Sequence, residues 1–217
     1  MKLSLTLVFA VAVLSIASVA HAEDDASAIT VTKPTKIGVK AGVSSTTLSQ
    51  SGGDRDEGAI QRRLTVNAAL FLTRRISDNV GLQFEAMISE RGARIGSGAD
   101  PTTIELRYAL LPMLVRYELA PTSKAVRPFV MVGGSLGMLL SARNSGSSEK
   151  LDIRANLEEL EFGGILSAGV EVPHRTGAIS IEVRYSHGFS SVVKEVRGQV
   201  VPVVHNRVTS VLAGYSF

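Results

Sequence analysis

The chain of 217 residues contains no cysteine. That excludes a disulfide framework and attachment to lipid through an amino-terminal cysteine, so the fold must stand on hydrogen bonds and burial alone. Charge of one sign is also scarce. The 23 basic side chains nearly balance the 20 acidic ones, for a formal net charge of +3. So small a bias gives no argument for nucleic acid as a partner. Long apolar runs are missing too. After residue 22 no stretch approaches the roughly 18 uninterrupted apolar residues of a spanning helix. The histidines offer no metal centre: His174 reads as a turn residue and His205 as a loop residue, with no spacing that suggests shared ligation. No metal and no cofactor is expected.

What is present begins with residues 1–22. An early Lys2, an apolar run from Leu3 to about Ala20 and the small-x-small exit Ala20-His21-Ala22 have the layout of a secretory signal peptide. The competing reading is a membrane anchor, and acidic Glu23, Asp24 and Asp25 directly after the exit argue against it. Cleavage is expected before Glu23. Removal of Lys2 takes one of the 23 basic side chains and none of the 20 acidic ones, leaving +2. A short periplasmic tail over residues 23–35 is expected next, followed by one domain over residues 36–217.

That domain alternates with period two. Ile37, Val39, Ala41 and Val43 oppose Gly38, Lys40, Gly42 and Ser44; Leu64, Val66, Ala68, Leu70 and Leu72 oppose Thr65, Asn67, Ala69, Phe71 and Thr73. A third strand sets Leu82, Phe84, Ala86 and Ile88 against Gln83, Glu85, Met87 and Ser89. The fourth, Ile104 to Leu119, leaves two readings open. Either its upper half, with Glu105 and Arg107 on the face of Met113, Val115 and Tyr117, stands above the lipid, or a bulge near Pro112 flips the phase. The fifth strand, Pro128 to Ala142, is interrupted by glycines and its facing stays open. Phe162 to Glu171, Ile179 to Ser186 and Ser210 to Phe217 complete a count of eight strands.

Their connections alternate between long and short. Ser49 to Gln61, Gly92 to Thr103, Asn144 to about Leu160 and Ser191 to His205 are long; Ser77-Asp78-Asn79, Ala120 to Val126 and Pro173 to Gly177 are short. A soluble β-sandwich has no reason to sort its loops by end in this way. An all-β, eight-stranded antiparallel up-and-down transmembrane barrel does: long loops outside, short turns and both termini in the periplasm of a Gram-negative envelope. The fourth long connection, Val192 to Val201, reads as an extension of its two strands above the membrane.

On these phases the charges within the lipid-crossing strands face inward: Lys40, Glu85, Arg116, Glu118, Glu171, Glu182 and Arg184. An Arg or Lys on the lipid face at mid-bilayer costs about 2–4 kcal/mol. Counted from their turns, Glu85, Arg116, Glu182 and Arg184 lie at similar heights, so with Lys40 they are expected to form one ion-pair network that plugs the lumen. A selectivity filter or proton path is the functional alternative to this structural reading.

Catalysis has one candidate stretch, Tyr185 to Ser191. His187 faces outward, where an acyl ester in the outer leaflet is within reach, but Ser190 points the other way. A nucleophile and its base need about 2.6–3.2 Å between them, which a strand seldom allows at this spacing. No enzyme is expected. The outer connections carry mixed charge, Asp54, Arg55, Asp56 and Glu57 in the first and Glu149, Lys150, Asp152, Arg154, Glu158 and Glu159 in the third. They either contact an extracellular ligand or keep the rim solvated.

With its strands laid out, the chain resembles the outer-membrane porin-like β-barrel family, often called PorT-like. The stretches that carry the likeness run from Lys36 to Val43, Gly81 to Glu85, Leu111 to Tyr117, Pro128 to Gly137, Phe162 to Val170, Val183 to Gly188 and Gly214 to Phe217. The resemblance implies a shared fold and an outer-membrane location, not one activity. It also implies that Tyr215 and Phe217 form the signal read by the outer-membrane assembly machinery. Expected partners are outer-membrane lipid and lipopolysaccharide, that machinery, and an extracellular ligand at the loops, with the protein a monomer. A structural or adhesin-like barrel, a small channel and, more distantly, a lipid-modifying hydrolase are the functions that remain.

Overall fold

The computed structural model describes residues 35–51, 60–95, 102–120, 125–145, 150–152, 160–190 and 203–217. Residues 1–34, the expected signal peptide and most of the tail, lie outside the described residues. So do 52–59, 96–101, 121–124, 146–149, 153–159 and 191–202, and with them most of the loop charges named above and the expected extension over Val192 to Val201.

Ten strands make one antiparallel sheet: β1 (Thr35–Ser51), β2 (Ile60–Gln61), β3 (Arg63–Arg75), β4 (Val80–Ile95), β5 (Thr102–Glu118), β6 (Arg127–Ser145), β7 (Lys150–Asp152), β8 (Leu160–His174), β9 (Gly177–Gly188) and β10 (Val203–Ser216). Each long strand pairs with its sequence neighbours, and β10 returns to β1 from Gly38↔Ser216 to Ser51↔Val203. Eight strands thus close a barrel. The short β2 pairs with the top of β4 and β7 with the top of β6.

Closure follows from the burial pattern. On β3, Leu64, Val66 and Leu70 are 80%, 59% and 51% exposed, whereas Thr65, Asn67 and Thr73 between them are buried. A soluble protein has the reverse, because water drives apolar surface inward. An outward face this apolar is stable against lipid, and lipid offers no hydrogen bond to a free strand edge, so the sheet has to close on itself.

The short connections are built from turn chemistry. After β3 the amides of Ile76 and Ser77 both donate to the Val80 carbonyl, at 2.8 and 3.0 Å, and the Val80 amide donates to Ser77 Oγ at 3.1 Å. Asn79 Nδ2 ties this turn to the Glu118 carbonyl at 2.9 Å.

At the other end the strands run further than the alternation indicates. β1 continues to Ser51, β4 to Ile95, and β5 starts at Thr102, inside the stretch expected to be a glycine-rich loop. His205 is a strand residue of β10 and His174 is the last residue of β8, not loop and turn residues. Where both faces of a strand meet polar surroundings the hydrophobic period fades, yet the backbone ladder continues. Gly92 sits in this extension with φ of 133°, and a Cβ there would run into the Ile104 carbonyl.

The two open facings are resolved. β5 keeps one phase: Leu106, Tyr108, Leu110, Leu114, Arg116 and Glu118 are buried, and Arg107, Met113, Val115 and Tyr117 are exposed, with Ala109 covered and Leu111 half-buried on the outward face between them. No bulge lies at Pro112. It pairs with Ser135, and the β4 ladder has the same register on either side of it, Phe84↔Met113 and Met87↔Leu110. The irregularity is instead in β6, where Tyr108 pairs with Leu139 but Arg107 with Ser141, leaving Leu140 as an extra residue. Up to that point Phe129, Met131, Ser135, Gly137 and Leu139 face the lumen, and beyond it Ala142 does.

Candidate functional site: a filled lumen

Every interior charge named from the sequence is buried, from 1% exposed at Glu85 to 6% at Glu118. They fall into two clusters rather than one network.

The central cluster joins β1, β4 and β9. Arg184 donates from both terminal nitrogens to the two oxygens of Glu85, each at 2.8 Å, and from Nε to Glu182 Oε1 at 2.7 Å. Lys40 Nζ closes the ring with Glu85 at 2.9 Å and Glu182 at 2.8 Å. Two cations thus meet two carboxylates in a closed cycle. The Arg184–Glu85 fork is the bidentate geometry that makes such bonds short and directional. Gln83 Nε2 adds a further bond to Glu85 at 2.6 Å, and Thr73 Oγ1 holds Gln83 Oε1 at 3.0 Å.

Arg116 belongs elsewhere. It donates to Glu171 at 2.8 Å and to Glu118 at 3.2 Å, while Lys36 reaches Glu171 at 2.6 Å and Arg75 reaches Glu118 at 2.9 Å. Equal counting from the turns does not give equal height, because strands in a closed barrel tilt and shear against one another. Arg116 therefore finds its carboxylates on its own strand and on β8. Its guanidinium lies 3.9 Å from the centroid of the Phe129 ring. That ring occupies space left by Gly169, the cross-strand partner of Phe129, where a Cβ would meet it at 2.6 Å.

A third cluster escaped the sequence reading. Arg91 on β4 donates to Glu161 on β8, and Asn206 Nδ2 donates to the other oxygen of Glu161. The signal for Arg91 was available: Glu85, Met87, Ser89 and Arg91 continue one period-two face. Lys36 likewise precedes Lys40 on one face. Each cluster also has one ring near a cation, Phe71 for Lys40 at 4.9 Å and Tyr108 for Arg91 at 5.2 Å, besides Phe129. Such contacts are favourable, and more so once the cation is desolvated.

The rest of the lumen combines buried polar side chains, Ser44, Asn67 and Ser210 bonded to one another, with two apolar clusters. Leu106, Tyr108, Leu110, Leu139, Ala142, Met87, Ala69 and Leu212 form one buried cluster, and Leu114, Phe129, Met131 and Ile165 another.

On the outside, His187 on β9 packs against His205 on β10, their centroids 5.7 Å apart, and against Phe189 at 5.6 Å. Ser190 is held differently, its Oγ accepting from the Phe162 amide at 3.0 Å. Among the described residues no group of three or more metal-ligating side chains is brought together. Tyr215 and Phe217 stack edge to face at 5.0 Å, and Tyr215 Oη lies 2.8 Å from Thr176 Oγ1.

An apolar exterior around a packed, charge-paired interior, closed by eight antiparallel strands, defines a membrane-spanning β-barrel. The chain belongs to the outer membrane protein beta-barrel domain family, whose model matches residues 23–194, and the protein is an outer-membrane barrel. No curated protein matches it in sequence. Among solved structures, Neisserial surface protein A is 14% identical and covers 83% of this chain and 97% of its own, with a TM-score of 0.49. OprG from Pseudomonas aeruginosa is 11% identical over 85% of this chain and 97% of its own, at 0.48. Ail, the attachment invasion locus protein of Yersinia pestis, is 13% identical over 84% and 98%, at 0.43.

Proposed function

We propose that the protein is a plugged barrel that serves as a structural or surface-interaction element, adhesin-like, through the connections at its long-loop end. One observation carries this reading: the lumen is filled by mutually paired side chains, with Arg184 and Glu85 only 2% and 1% exposed. A conducting path requires hydrated side chains, and removing water from unpaired charges is costly. Here each of the central charges already has its counter-charge.

Single-channel conductance of the refolded protein in a planar bilayer, beside a variant carrying Arg184→Ser and Glu182→Ser, tests the proposal. A silent native barrel that opens in the variant supports it. Steady native conductance overturns it in favour of a small channel, with Lys40, Arg116 and Arg184 lining the path.

We propose no catalytic role. His187 is engaged with aromatic neighbours and the Ser190 hydroxyl with the Phe162 amide. Release of acyl chains on incubation with lipopolysaccharide would reverse this. The finer features follow the same reading: residues 1–22 as a cleaved signal peptide, checked by amino-terminal sequencing of the exported protein, a monomeric barrel, and outward Tyr215 and Phe217 as the assembly signal. The PorT-like likeness rests on the order of its motifs.

A further inference from the structure

Above the apolar belt, β4, β5 and β6 turn a charged face outward, and the bulge in β6 is what assembles it. If the alternation that carries Phe129 through Leu139 into the lumen ran on, Ser141 and Arg143 would follow them inside. The extra residue Leu140 reverses the phase, so Ala142 is buried and Arg143 exposed. Re-aiming side chains is a characteristic use of bulges.

The result is an ordered array. Arg107 stands between its cross-strand partners Glu90 and Ser141, and Glu105 between Gly92 and Arg143. Arg107 donates to Glu90 at 2.7 Å. Arg63 reaches across from β3 to donate to Glu105 at 2.9 Å, a crossing made at the level of side-chain-free Gly92. Arg63, Glu90, Glu105, Arg107, Ser141 and Arg143 line a cavity of about 80 Å³, more than one water needs. Around the cavity itself three guanidiniums face two carboxylates, and Asp152 of β7 is the other cross-strand partner of Arg143. Among the described residues no side-chain hydrogen bond or ion pair holds the Arg143 guanidinium.

The height of the notch indicates what fills it. Directly below, on the same outward face, lie Ile88 of β4 and Ala109 and Leu111 of β5, followed by Met113, Val115 and Tyr117, so the notch is the first polar row above the apolar surface. We propose that it binds a phosphate group of lipopolysaccharide in the outer leaflet. Arg107 and Arg143 supply the forked donors that match phosphate oxygens, Ser141 supplies a hydroxyl, and Arg63 and the two glutamates hold the array in place. The inference rests on the barrel's orientation, long connections outward, and not on what those connections bind.

The test uses the protein refolded in an uncharged detergent and titrated with bisphosphorylated lipid A, dephosphorylated lipid A or inorganic phosphate, with bound species read by native mass spectrometry. The expected result is retention of the bisphosphorylated lipid and not of the dephosphorylated one. The pair Arg107→Gln with Arg143→Gln should weaken retention at least about tenfold, the worth of a lost charge-assisted bond. Arg207→Gln, an exposed charge on β10, should leave it unchanged. Equal retention by the double variant, or of the dephosphorylated lipid, overturns the proposal. Inorganic phosphate held as tightly as lipid A and lost in the same variant would make the notch a free-phosphate site and overturn the lipid assignment. The heat-dependent gel shift of the folded barrel confirms that each variant is intact.

Discussion

The two ends of β5 carry opposite chemistry on the same alternation. Toward its short-turn end, Met113, Val115 and Tyr117 face out and Arg116 and Glu118 face in, set among Leu114, Phe129 and Met131. Toward its other end, Arg107 faces out while Leu106, Tyr108 and Leu110 face in. The pleat decides which side a residue takes; the medium outside decides which chemistry that side tolerates. Against lipid an outward charge is penalised, so polar side chains are driven into the lumen and must satisfy one another there. Above the lipid the exterior meets water, and the ordinary rule of apolar inside and polar outside returns. The lower barrel is thus held by lipid outside and ion pairs within, whereas in the upper barrel an apolar cluster around Tyr108 and Leu139 surrounds one buried ion pair, Arg91 with Glu161.

Removing one charge from the lower lumen is the strongest way to break this contrast. Glu85→Ala strands both Lys40 and Arg184 beside the single carboxylate of Glu182, and the loss of one partner from a buried pair costs about 3–5 kcal/mol. Denaturant unfolding of the folded barrel should show a lower midpoint. An unchanged midpoint would mean that water already reaches the quartet and that the lumen is not packed.

A second variant gives the lower exterior the chemistry of the upper. Met113→Arg places on the lipid face what Arg107 carries six residues earlier on the same face, and should cost about 2–4 kcal/mol in a bilayer. The penalty should shrink toward the ends of the belt, so Arg in place of successive outward residues of β5 maps where lipid stops. Smaller again is Gly92→Ala, where φ of 133° and the Ile104 carbonyl oppose a Cβ. Holding a non-glycine residue in such a conformation costs on the order of 1–3 kcal/mol, and the lesion should loosen the charged notch while leaving the central quartet intact.

The same contrast explains what was legible in the sequence. Strand number, antiparallel order and the inward facing of Lys40, Glu85 and Arg184 follow from period two wherever lipid enforces it. Above the lipid that enforcement stops, so the tops of β1, β4, β5, β8 and β10 read as loop, which hides Arg91 and Glu161 and makes His205 a loop residue. The bulge at Leu140 left no local mark, since Leu139-Leu140-Ser141-Ala142 contains neither glycine nor proline. Pro112, which did attract attention, sits in an unbroken register. The division into separate ion-pair clusters depends on strand shear, a property of the closed barrel and not of any one strand.

The smallest effect is the reciprocal exchange, Arg107→Leu, which gives the upper exterior the chemistry of the lower. Arg107 pairs with Glu90 across a strand, but its side chain is 55% exposed and that of Glu90 30%. An ion pair in contact with water contributes about 0–1 kcal/mol, so unfolding should change by no more than that, a fraction of the cost of Met113→Arg. The asymmetry is the informative quantity. Two exchanges between arginine and an apolar residue on one face of one strand should differ several-fold only if a lipid boundary passes between them. If both cost the same in a bilayer, the boundary lies above Arg107, and the ring of Arg63, Arg107 and Arg143 has to be buried in lipid at a penalty that Glu90 and Glu105 alone offset.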